Sequence, residues 1–526
     1  MANRWIQFLQ ALVVASLLSS CGVLGPNSEQ AAGPGTGAGS GQTISLEMFT
    51  NPLASEAPPP PSDWFWTAGV KEALNVDIKV SFVTDTSQYN PKLQARAAAN
   101  DLPDLFQTNA TQMAQLVNQG LVGDWGPYLE MMPNYVRDHD VKAMAPVGTF
   151  AGKQYGLVSK ATFPYKTITV VRKDWLDRLG LAVPKTLDEF VTVMKAFRDR
   201  DPNGTGLRDT FGYSANIAAD GGLSHFDPIF GAFDALGPGT SSPGWRIQNG
   251  SLVPVITSPD RREALQFISR MEQAGVLDPD WKAQKEENFR LKWKGGKIGL
   301  FSEDWCATLC PQNYAGFAQA NPKGVLQIID PPLGPNGKSG AGTENKAGQM
   351  YGMSKRAVDA GKGEAIARLM DWIDGPGYVL TAYGREGESY TRDASGAILQ
   401  ILEPPAVPFR QLAGWAYKGT DEELRSRYSG TTVQGDGSTL DVFTDVLQRA
   451  ARLPKSDVTP FAPLPPVPAE RASDYTRTAN EGAFQFATGQ RPFSEWDSYV
   501  QSVRTAGLDD WVAAAQQRGT EVGLFK

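Results

Sequence analysis

The sequence is poor in the residues and motifs that most enzymes and nucleic-acid-binding proteins depend on. It has two histidines, His139 and His225, in unrelated contexts, which gives no support to a zinc site or to a nucleophile paired with a histidine base. A Gly-x-Ser-x-Gly elbow and a complete Gly-x₄-Gly-Lys-Ser/Thr phosphate loop are both absent. The chain carries no Lys/Arg-rich run and its formal net charge is −7, so we expect no nucleic-acid partner.

The apolar run near the N-terminus is too short to span a membrane. Residues 8–18 follow Arg4 and lead into Leu18-Ser19-Ser20-Cys21, whereas a spanning helix needs about 20 apolar residues. A positive start, a short apolar stretch and small residues before a cleavage point predict a secretory signal over residues 1–20. The position of Cys21 resembles the lipobox of bacterial lipoproteins, which implies cleavage before Cys21, a lipid on its sulfur and an anchor at the extracytoplasmic face of the cell membrane.

Residues 21–42 are predicted to be a flexible linker after the lipidated cysteine. They are rich in Gly, Ala, Ser and Pro and contain one charge, Glu29. The folded part then begins near Thr43, where residues 44–49 alternate like a strand. About 480 residues remain, which is too many for one core, so two or three domains are expected.

The other two cysteines, Cys306 and Cys310, allow two outcomes. In an oxidising compartment they form a disulfide if a loop brings their side chains together. A regular helix would hold residues four apart in poor geometry for that bond.

The order of predicted elements is α/β throughout. Strand-like segments alternate with helical ones, as in residues 77–83 followed by residues 90–99. Thr186 with Glu189 three residues later predicts a helix start with a capping box. Alternation of this kind predicts parallel sheets with helices on both faces.

Several segments resemble motifs of the extracellular solute-binding proteins of ABC importers, in the order in which that family carries them. They are residues 102–106 (LPDLF), 152–156 (GKQYG), 171–176 (VRKDWL), 179–181 (LGL), 184–190 (PKTLDEF), 296–301 (GKIGLF) with Trp305 after it, and 383–387 (YGREG). The last segment is similar to one in the large lipoprotein subgroup that imports oligosaccharides. The matches cover residues 44 to 390, and the last 130 residues match less clearly.

The resemblance implies a two-lobed periplasmic-binding-protein-like fold of type II, with a hinge and an interlobe cleft. We predict a first lobe from residues 43–163 and 352–400 and a second from residues 164–351 and 401–526. Chain crossings are expected near residues 159–165, 348–353 and 390–410. The same resemblance implies a monomer that delivers its ligand to two membrane permease subunits, with a cytoplasmic ATPase supplying the energy.

Aromatic residues suggest a carbohydrate ligand, because sugar rings pack on aromatic planes while their hydroxyls need polar partners. The predicted ligand-binding residues, placed on loops expected to reach the cleft, are Trp64, Trp66, Asn109, Asp304, Trp305, Tyr351, Arg385 and Glu386. Core packing is the alternative role for the large aromatics, and a peptide or another polar solute is the alternative ligand. We expect Trp305→Ala to weaken ligand binding strongly and to leave folding largely intact.

A calcium site is predicted in residues 201–209. Asp201, Asn203, Thr205 and Asp209 place side-chain oxygens at positions 1, 3, 5 and 9 of an EF-hand-type loop, and Leu207 offers its carbonyl at position 7. The sugar-importing subgroup resembles this pattern. Thr205 at position 5 and Gly212 at position 12 depart from it, so the bidentate Glu is missing. The alternative to a calcium site is an ordinary surface turn over these residues. No organic cofactor is expected for the protein.

A secreted glycosidase is the main enzymatic alternative, because that chemistry needs only two placed carboxylates and an aromatic cleft. Glu303, Asp304, Glu386 and Glu388 could supply carboxylates, but no sequence pattern pairs them. A surface adhesin or signalling module would share the lipobox without needing the motif set of a hinged two-lobed protein. We therefore predict that the protein is not an enzyme.

Overall fold

The computed structural model describes residues 43–51, 61–83, 88–161, 167–217, 222–236, 244–342, 347–400, 412–428, 430–455 and 469–525. The predicted signal peptide, Cys21 and the linker to residue 42 lie outside these ranges, as do residues 162–165 of the first predicted crossing. Within the described ranges, no helix combines the length and the apolar character that a bilayer span requires.

Short strands occur along most of the chain. In chain order they are β1 (Ile44–Thr50), β2 (Val76–Phe82), β3 (Leu105–Thr108), β4 (Thr149–Phe150), β5 (Lys153–Gln154), β6 (Leu157–Lys160), β7 (Thr167–Arg172), β8 (Phe211–Tyr213), β9 (Trp245–Gln248), β10 (Ser251–Pro254), β11 (Ile298–Asp304), β12 (Leu326–Ile329), β13 (Ala347–Met353), β14 (Tyr390–Arg392), β15 (Ile398–Gln400), β16 (Thr431–Val433) and β17 (Thr439–Asp441).

Helices separate the strands and dominate the C-terminal part. In chain order they are α1 (Phe65–Leu74), α2 (Tyr89–Ala98), α3 (Ala110–Asn118), α4 (Pro133–His139), α5 (Val141–Gly148), α6 (Lys173–Leu179), α7 (Leu187–Asp199), α8 (Asp227–Ala232), α9 (Pro259–Gln273), α10 (Glu286–Lys294), α11 (Trp305–Leu309), α12 (Pro311–Ala320), α13 (Lys355–Asp359), α14 (Gly363–Asp374), α15 (Tyr378–Ala382), α16 (Asp421–Arg427), α17 (Gln448–Arg452), α18 (Ala469–Ala487), α19 (Trp496–Val503) and α20 (Asp509–Glu521).

The first large sheet has the strand order β2-β1-β3-β13-β6. Its strands β1, β2 and β3 are parallel, as the alternating pattern of strands and helices predicts, whereas β13 runs antiparallel to both β3 and β6. Side chains alternate between the two faces of a strand, so Met48 packs in one hydrophobic cluster and Phe49 in another. The first sheet is therefore mixed and is covered on both faces.

The second large sheet has the strand order β12-β7-β11-β8. In it β7 runs antiparallel to both β11 and β12, and β8 is parallel to β11. Val171 and Ile168 of β7 belong to separate hydrophobic clusters, one on each face. Each large sheet thus has its own cores, which gives the chain two lobes.

The chain passes between the two sheets where the strands change membership. It leaves the first sheet after Lys160 and enters the second at Thr167, and it returns between Ile329 of β12 and Ala347 of β13. Residues 348–353 therefore form a strand of the first sheet, and the second crossing lies before them rather than within them. The lobe boundaries remain a prediction.

The predicted capping box starts α7 as expected from the sequence. The Thr186 hydroxyl accepts a hydrogen bond from the Glu189 backbone N–H, and the Glu189 carboxylate accepts one from the Thr186 backbone N–H. These bonds satisfy two backbone donors that have no partner within the helix.

Candidate functional site

The strand directions bring one set of strand ends to the border between the lobes. In the first sheet the carboxyl ends of β1, β2, β3 and β6 lie at the same edge as the amino end of β13, since β13 is antiparallel to them. In the second sheet the carboxyl end of β11 lies beside the amino end of β7, which follows the first crossing. Ligands in open α/β sheets bind beyond the carboxyl ends of strands, so these edges define the candidate site.

A polar group at the end of β1 forms the first-lobe part of this edge. The Thr50 hydroxyl is 3.2 Å from Gln107 Oε1, which also accepts a hydrogen bond of 2.8 Å from the Asn51 backbone N–H. Trp415 Nε1 donates to the Thr50 hydroxyl at 2.7 Å. Thr50, Gln107 and Trp415 were not predicted from the sequence, because no sequence pattern connects residues so far apart along the chain.

Tyr351 lies in β13 next to this group. Its ring packs on Trp415 with centroids 4.5 Å apart, and its hydroxyl is 3.4 Å from the Gly414 carbonyl oxygen. The side chain is buried, and burial raises the pKa of the Tyr351 phenol well above its ordinary value. Tyr351 is therefore a neutral aromatic partner of Trp415.

Trp64 and Trp66 lie at the start of α1 and are buried in the first lobe. Their rings are 5.6 Å apart, and Trp66 Nε1 donates to the Thr381 hydroxyl at 2.8 Å. Trp66 also meets the edge of Trp372. In the described conformation both rings therefore pack within the core, and their predicted contact with a ligand remains a prediction.

Asn109 directly follows β3 and Asp304 ends β11, and each is the N-cap of the helix that comes next. The Asn109 side-chain oxygen accepts a hydrogen bond of 2.9 Å from the Gln112 backbone N–H. Asp304 Oδ1 accepts hydrogen bonds from the backbone N–H groups of Cys306 and Ala307, at 2.8 and 3.1 Å. These caps fix both side chains at the candidate site, since N-cap side chains satisfy the first free donors of a helix.

Trp305 follows Asp304 and opens α11. Its side chain is 2% exposed, and its ring meets the edge of Tyr428 with centroids 5.3 Å apart. Cys306 and Cys310 form a disulfide across this short helix, with Cα atoms 4.6 Å apart. Cys310 has left the helical conformation, so the second cysteine follows the helix rather than lying within it. Of the two alternatives, the disulfide is therefore the one that forms.

The four carboxylates considered for glycoside hydrolysis each have a local partner. Glu303 is buried and pairs with Arg290 at 3.0 Å, and Asp304 caps α11. Glu386 and Glu388 are exposed and each lies 3.4 Å from an arginine, Arg392 and Arg385 respectively.

Arg385 and Glu386, both predicted to bind ligand, lie between α15 and β14 on the surface of the first lobe. The Arg385 guanidinium lies 4.9 Å from the centre of the Phe65 ring, at the start of α1. The structure therefore brings Arg385 close to the aromatic segment that includes Trp64 and Trp66.

The predicted calcium loop folds so that its oxygen-bearing side chains converge. Thr205 Oγ1 lies 3.2 Å from Asn203 Oδ1 and 3.3 Å from Asp209 Oδ1. The Asp201 carboxylate accepts hydrogen bonds of 3.0 Å from the backbone N–H groups of Thr205 and Gly206. Leu207 is exposed and its backbone N–H points to the Thr205 hydroxyl.

Lys297 would compete with a calcium ion for the Asp209 carboxylate of this loop. Its ammonium group pairs with Asp209 and holds the pKa of that carboxyl below its ordinary value, with help from the Asn203 amide. Among the described residues no cluster of three or more His, Cys, Asp or Glu side chains could hold a metal ion. Two carboxylates, an amide oxygen and a hydroxyl oxygen are ligand types that calcium uses in proteins. They form a weaker ligand set than that of a full EF-hand loop.

A family model described as bacterial extracellular solute-binding protein matches residues 57–379. The polygalacturonan/rhamnogalacturonan-binding protein YtcQ of Bacillus subtilis is 23% identical over 527 residues, covering 96% of this chain and 97% of that protein.

Solved structures with the same fold cover almost the whole chain. An HMO-binding, ABC-transporter-associated solute-binding protein from Bifidobacterium longum infantis has a TM-score of 0.70 at 18% identity, covering 91% of this chain and 99% of that one. An EF-hand mutant of the substrate-binding protein FusA of Streptococcus pneumoniae, in complex with fructo-nystose, has a TM-score of 0.63 at 17% identity. The match covers 92% of this chain and 100% of that one. The predicted two-lobed α/β fold is confirmed.

Proposed function

Because the chain belongs to the family of bacterial extracellular solute-binding proteins, we propose that it captures an extracellular oligosaccharide between its lobes and delivers it to an ABC permease. The observation that carries this proposal is the similarity to a polygalacturonan/rhamnogalacturonan-binding protein along 96% of the chain. The fold agrees with it, since the carboxyl end of β6 and the amino ends of β7 and β13 adjoin the crossings between the two sheets.

Part of the candidate site offers the chemistry that a sugar requires. Asn51 and Asn109 are exposed and carry amide groups. The side chains of Thr50, Gln107, Trp415, Tyr351 and Trp305 are buried in the described conformation, so their contact with a sugar is part of the proposal. Closure around the hinge would bring the candidate-site edges of the two sheets together. A ligand drives that closure only if it binds the closed form better than the open one.

We also propose that Cys21 carries a lipid that anchors the protein at the extracytoplasmic face of the membrane. The sequence Leu18-Ser19-Ser20-Cys21 after a short apolar run supports this. The protein would work there as a monomer, with its ligand passed to the membrane subunits and ATP hydrolysed by a cytoplasmic partner.

A ligand screen by thermal unfolding tests the binding function. We expect an oligosaccharide, with oligogalacturonides as the first probes, to raise the unfolding temperature of the purified protein without being cleaved. Ligand at 100 times its Kd stabilises a protein by about 2.7 kcal/mol. A shift with peptides and none with sugars would overturn the ligand class, and release of shorter sugars would establish a glycosidase instead.

We propose that the loop of Asp201, Asn203, Thr205, Leu207 and Asp209 binds calcium weakly. Calcium would hold these oxygens together in place of the hydrogen bonds that now join them. We expect millimolar calcium to raise the unfolding temperature relative to chelator, with a Kd of roughly 10⁻⁴–10⁻³ M.

The variant Asp201→Asn tests the loop, because it removes one of its two carboxylates. The control Asp199→Asn makes the same charge change just outside the loop, where Asp199 pairs with Arg198. The calcium response should disappear in the first variant and persist in the second. An equal response in both would contradict the site.

A further inference from the structure

We propose that the ligand is an acidic oligosaccharide, and that the side-chain amino groups of Gln107 and Asn109 donate hydrogen bonds to one of its carboxylates. The inference rests on the proposed function, because it concerns the ligand of the same site. Both residues lie at the carboxyl end of β3, on the candidate-site edge of the first sheet.

The Gln107 amide has one orientation that suits its neighbours. The Asn51 backbone nitrogen lies 2.8 Å from Oε1, and a backbone N–H can only donate a hydrogen bond. The atom that faces it is therefore the amide oxygen, which also lies 3.2 Å from the Thr50 hydroxyl. The amino group, Nε2, has no hydrogen-bond partner among the described residues. Gln107 thus offers a donor and no acceptor.

The Asn109 amide is oriented by the same rule. Its Oδ1 accepts a hydrogen bond of 2.9 Å from the Gln112 backbone N–H, which caps α3. Its amino group, Nδ2, has no partner in the part of the chain that the structure describes. Asn109 has an extended backbone, with φ −126° and ψ 168°, and side chains two residues apart along a strand share a face. The end of β3 therefore carries two amide donors on one face.

Trp415 and Tyr351 keep the Gln107 amide in this orientation. Trp415 Nε1 donates to the Thr50 hydroxyl at 2.7 Å, which leaves the hydroxyl hydrogen for an acceptor such as Gln107 Oε1. Tyr351 is opposite Gln107 in β13, and its ring packs on Trp415 with centroids 4.5 Å apart. Rotation of the amide by half a turn would set its amino group against the Asn51 N–H, so the donor is fixed.

The Gln107 amino group needs an acceptor because its side chain is buried. Gln107 is 5% exposed, and a buried donor without a partner loses the hydrogen bonds that water would give it. In native proteins such a group calls for a specific partner. Asn109 is exposed, so the two donors run from a buried position to the surface at the strand end.

The charges at this edge favour an anionic partner. Lys160 is exposed at the end of β6, and the described residues that end β1, β2, β3 and β6 include no carboxylate. On the second lobe Glu303 is paired with Arg290, and Asp304 caps α11. A sugar hydroxyl both donates and accepts, whereas an ionised carboxylate only accepts. Fixed donors on the same edge as a cation therefore match a carboxylate.

Calorimetric titration with trigalacturonate and with neutral galactotriose of the same linkage tests the ligand class. We expect the wild-type protein to bind the acid roughly tenfold more tightly or better, because hydrogen bonds to an ionised acceptor are about twice as strong. Equal or tighter binding of the neutral sugar would overturn this inference and leave the oligosaccharide function standing. If neither binds, the sugars of the thermal screen decide: binding of neutral sugars only overturns the inference, and binding of none overturns the proposed function as well.

The variant Asn109→Asp tests the donor assignment. Aspartate caps a helix as well as asparagine does, so the unfolding temperature should not fall, but a charged oxygen replaces the amino group. We expect the affinity for the acidic sugar to drop roughly 30-fold, because a hydrogen bond to a charged group is lost. Asn249→Asp is the control, since Asn249 is exposed in the turn between β9 and β10 of the second lobe. Equal affinity in the two variants would contradict the assignment.

The variant Asn109→Ser separates the lost donor from the added charge. Serine keeps a capping oxygen at the start of α3 and adds no charge. Its affinity for the acidic sugar should fall roughly tenfold, because the amide donor is gone. Wild-type affinity in Asn109→Ser would show that Nδ2 does not bind the carboxylate and would overturn the role of Asn109.

Discussion

Replacement of Glu423 by alanine should lower the free energy of unfolding by about 3–5 kcal/mol, because it leaves a buried guanidinium without its counter-ion. Glu423 Oε1 accepts a hydrogen bond of 3.0 Å from Arg427 Nε, and both side chains are at most 3% exposed. The variant can be measured by urea unfolding at neutral pH.

The surroundings of Arg427 make this loss large. Its guanidinium lies 4.3 Å from the Tyr417 ring centre and 5.0 Å from that of Tyr383, and neither Nη1 nor Nη2 has a hydrogen-bond partner within the described ranges. Glu423 Oε2 also accepts hydrogen bonds of 2.8 Å from the backbone N–H groups of Lys418 and Gly419. The Glu423 carboxylate thus binds both the Arg427 guanidinium and the backbone of the two residues 418 and 419 before α16.

Glu422→Ala is the matched control. It removes the same group from the neighbouring exposed position of α16, where a surface substitution changes stability by less than about 0.5 kcal/mol. Equal unfolding midpoints for the two variants would show that the buried pair contributes little.

Trp305→Ala should destabilise the protein by about 3–5 kcal/mol, the usual loss for a buried tryptophan. The sequence led us to expect folding to stay largely intact, but Trp305 is 2% exposed and packs against Tyr428 in a cluster with Phe301 and Leu309. If the ring also supports a sugar, affinity should fall by roughly 30-fold, as at other aromatic binding residues.

Trp293→Ala separates packing from ligand contact. Trp293 is 1% exposed and stacks on Phe301 in the same cluster, but it lies on α10 rather than at the end of β11. Both variants should lose similar stability in urea. Calorimetric titration at low temperature, where both remain folded, should then show weak sugar binding for Trp305→Ala only. Equal affinity in the two variants would assign Trp305 to packing alone.

The sequence predicted those features that are set by nearby residues or by ordered motifs. The capping box of Thr186 and Glu189 depends on residues three apart, and it formed as predicted. The family followed from short motifs in a fixed order. The two-lobed fold came with that family, so it too could be predicted before any tertiary contact was known.

The parts that could not be predicted depend on residues far apart along the chain. The hydrogen bond between Trp415 and Thr50 joins residues 365 positions apart, and no local sequence pattern predicts it. The direction of the Trp64 and Trp66 rings depends on α14 and α15, which come some 300 residues later. The mixed character of the first sheet arises because β13 inserts between β3 and β6, whereas alternation of elements predicts only parallel neighbours.

The insertion of β13 also constrains the order in which the lobes can be completed. Among the described strands, β6 pairs with β13 alone, so the first sheet lacks an inner strand until residue 353 has been synthesised. By then β7, β8, β11 and β12 of the other lobe are already present. Contacts between distant parts of a chain form slowly, so the large sheet that begins first in the sequence is completed second.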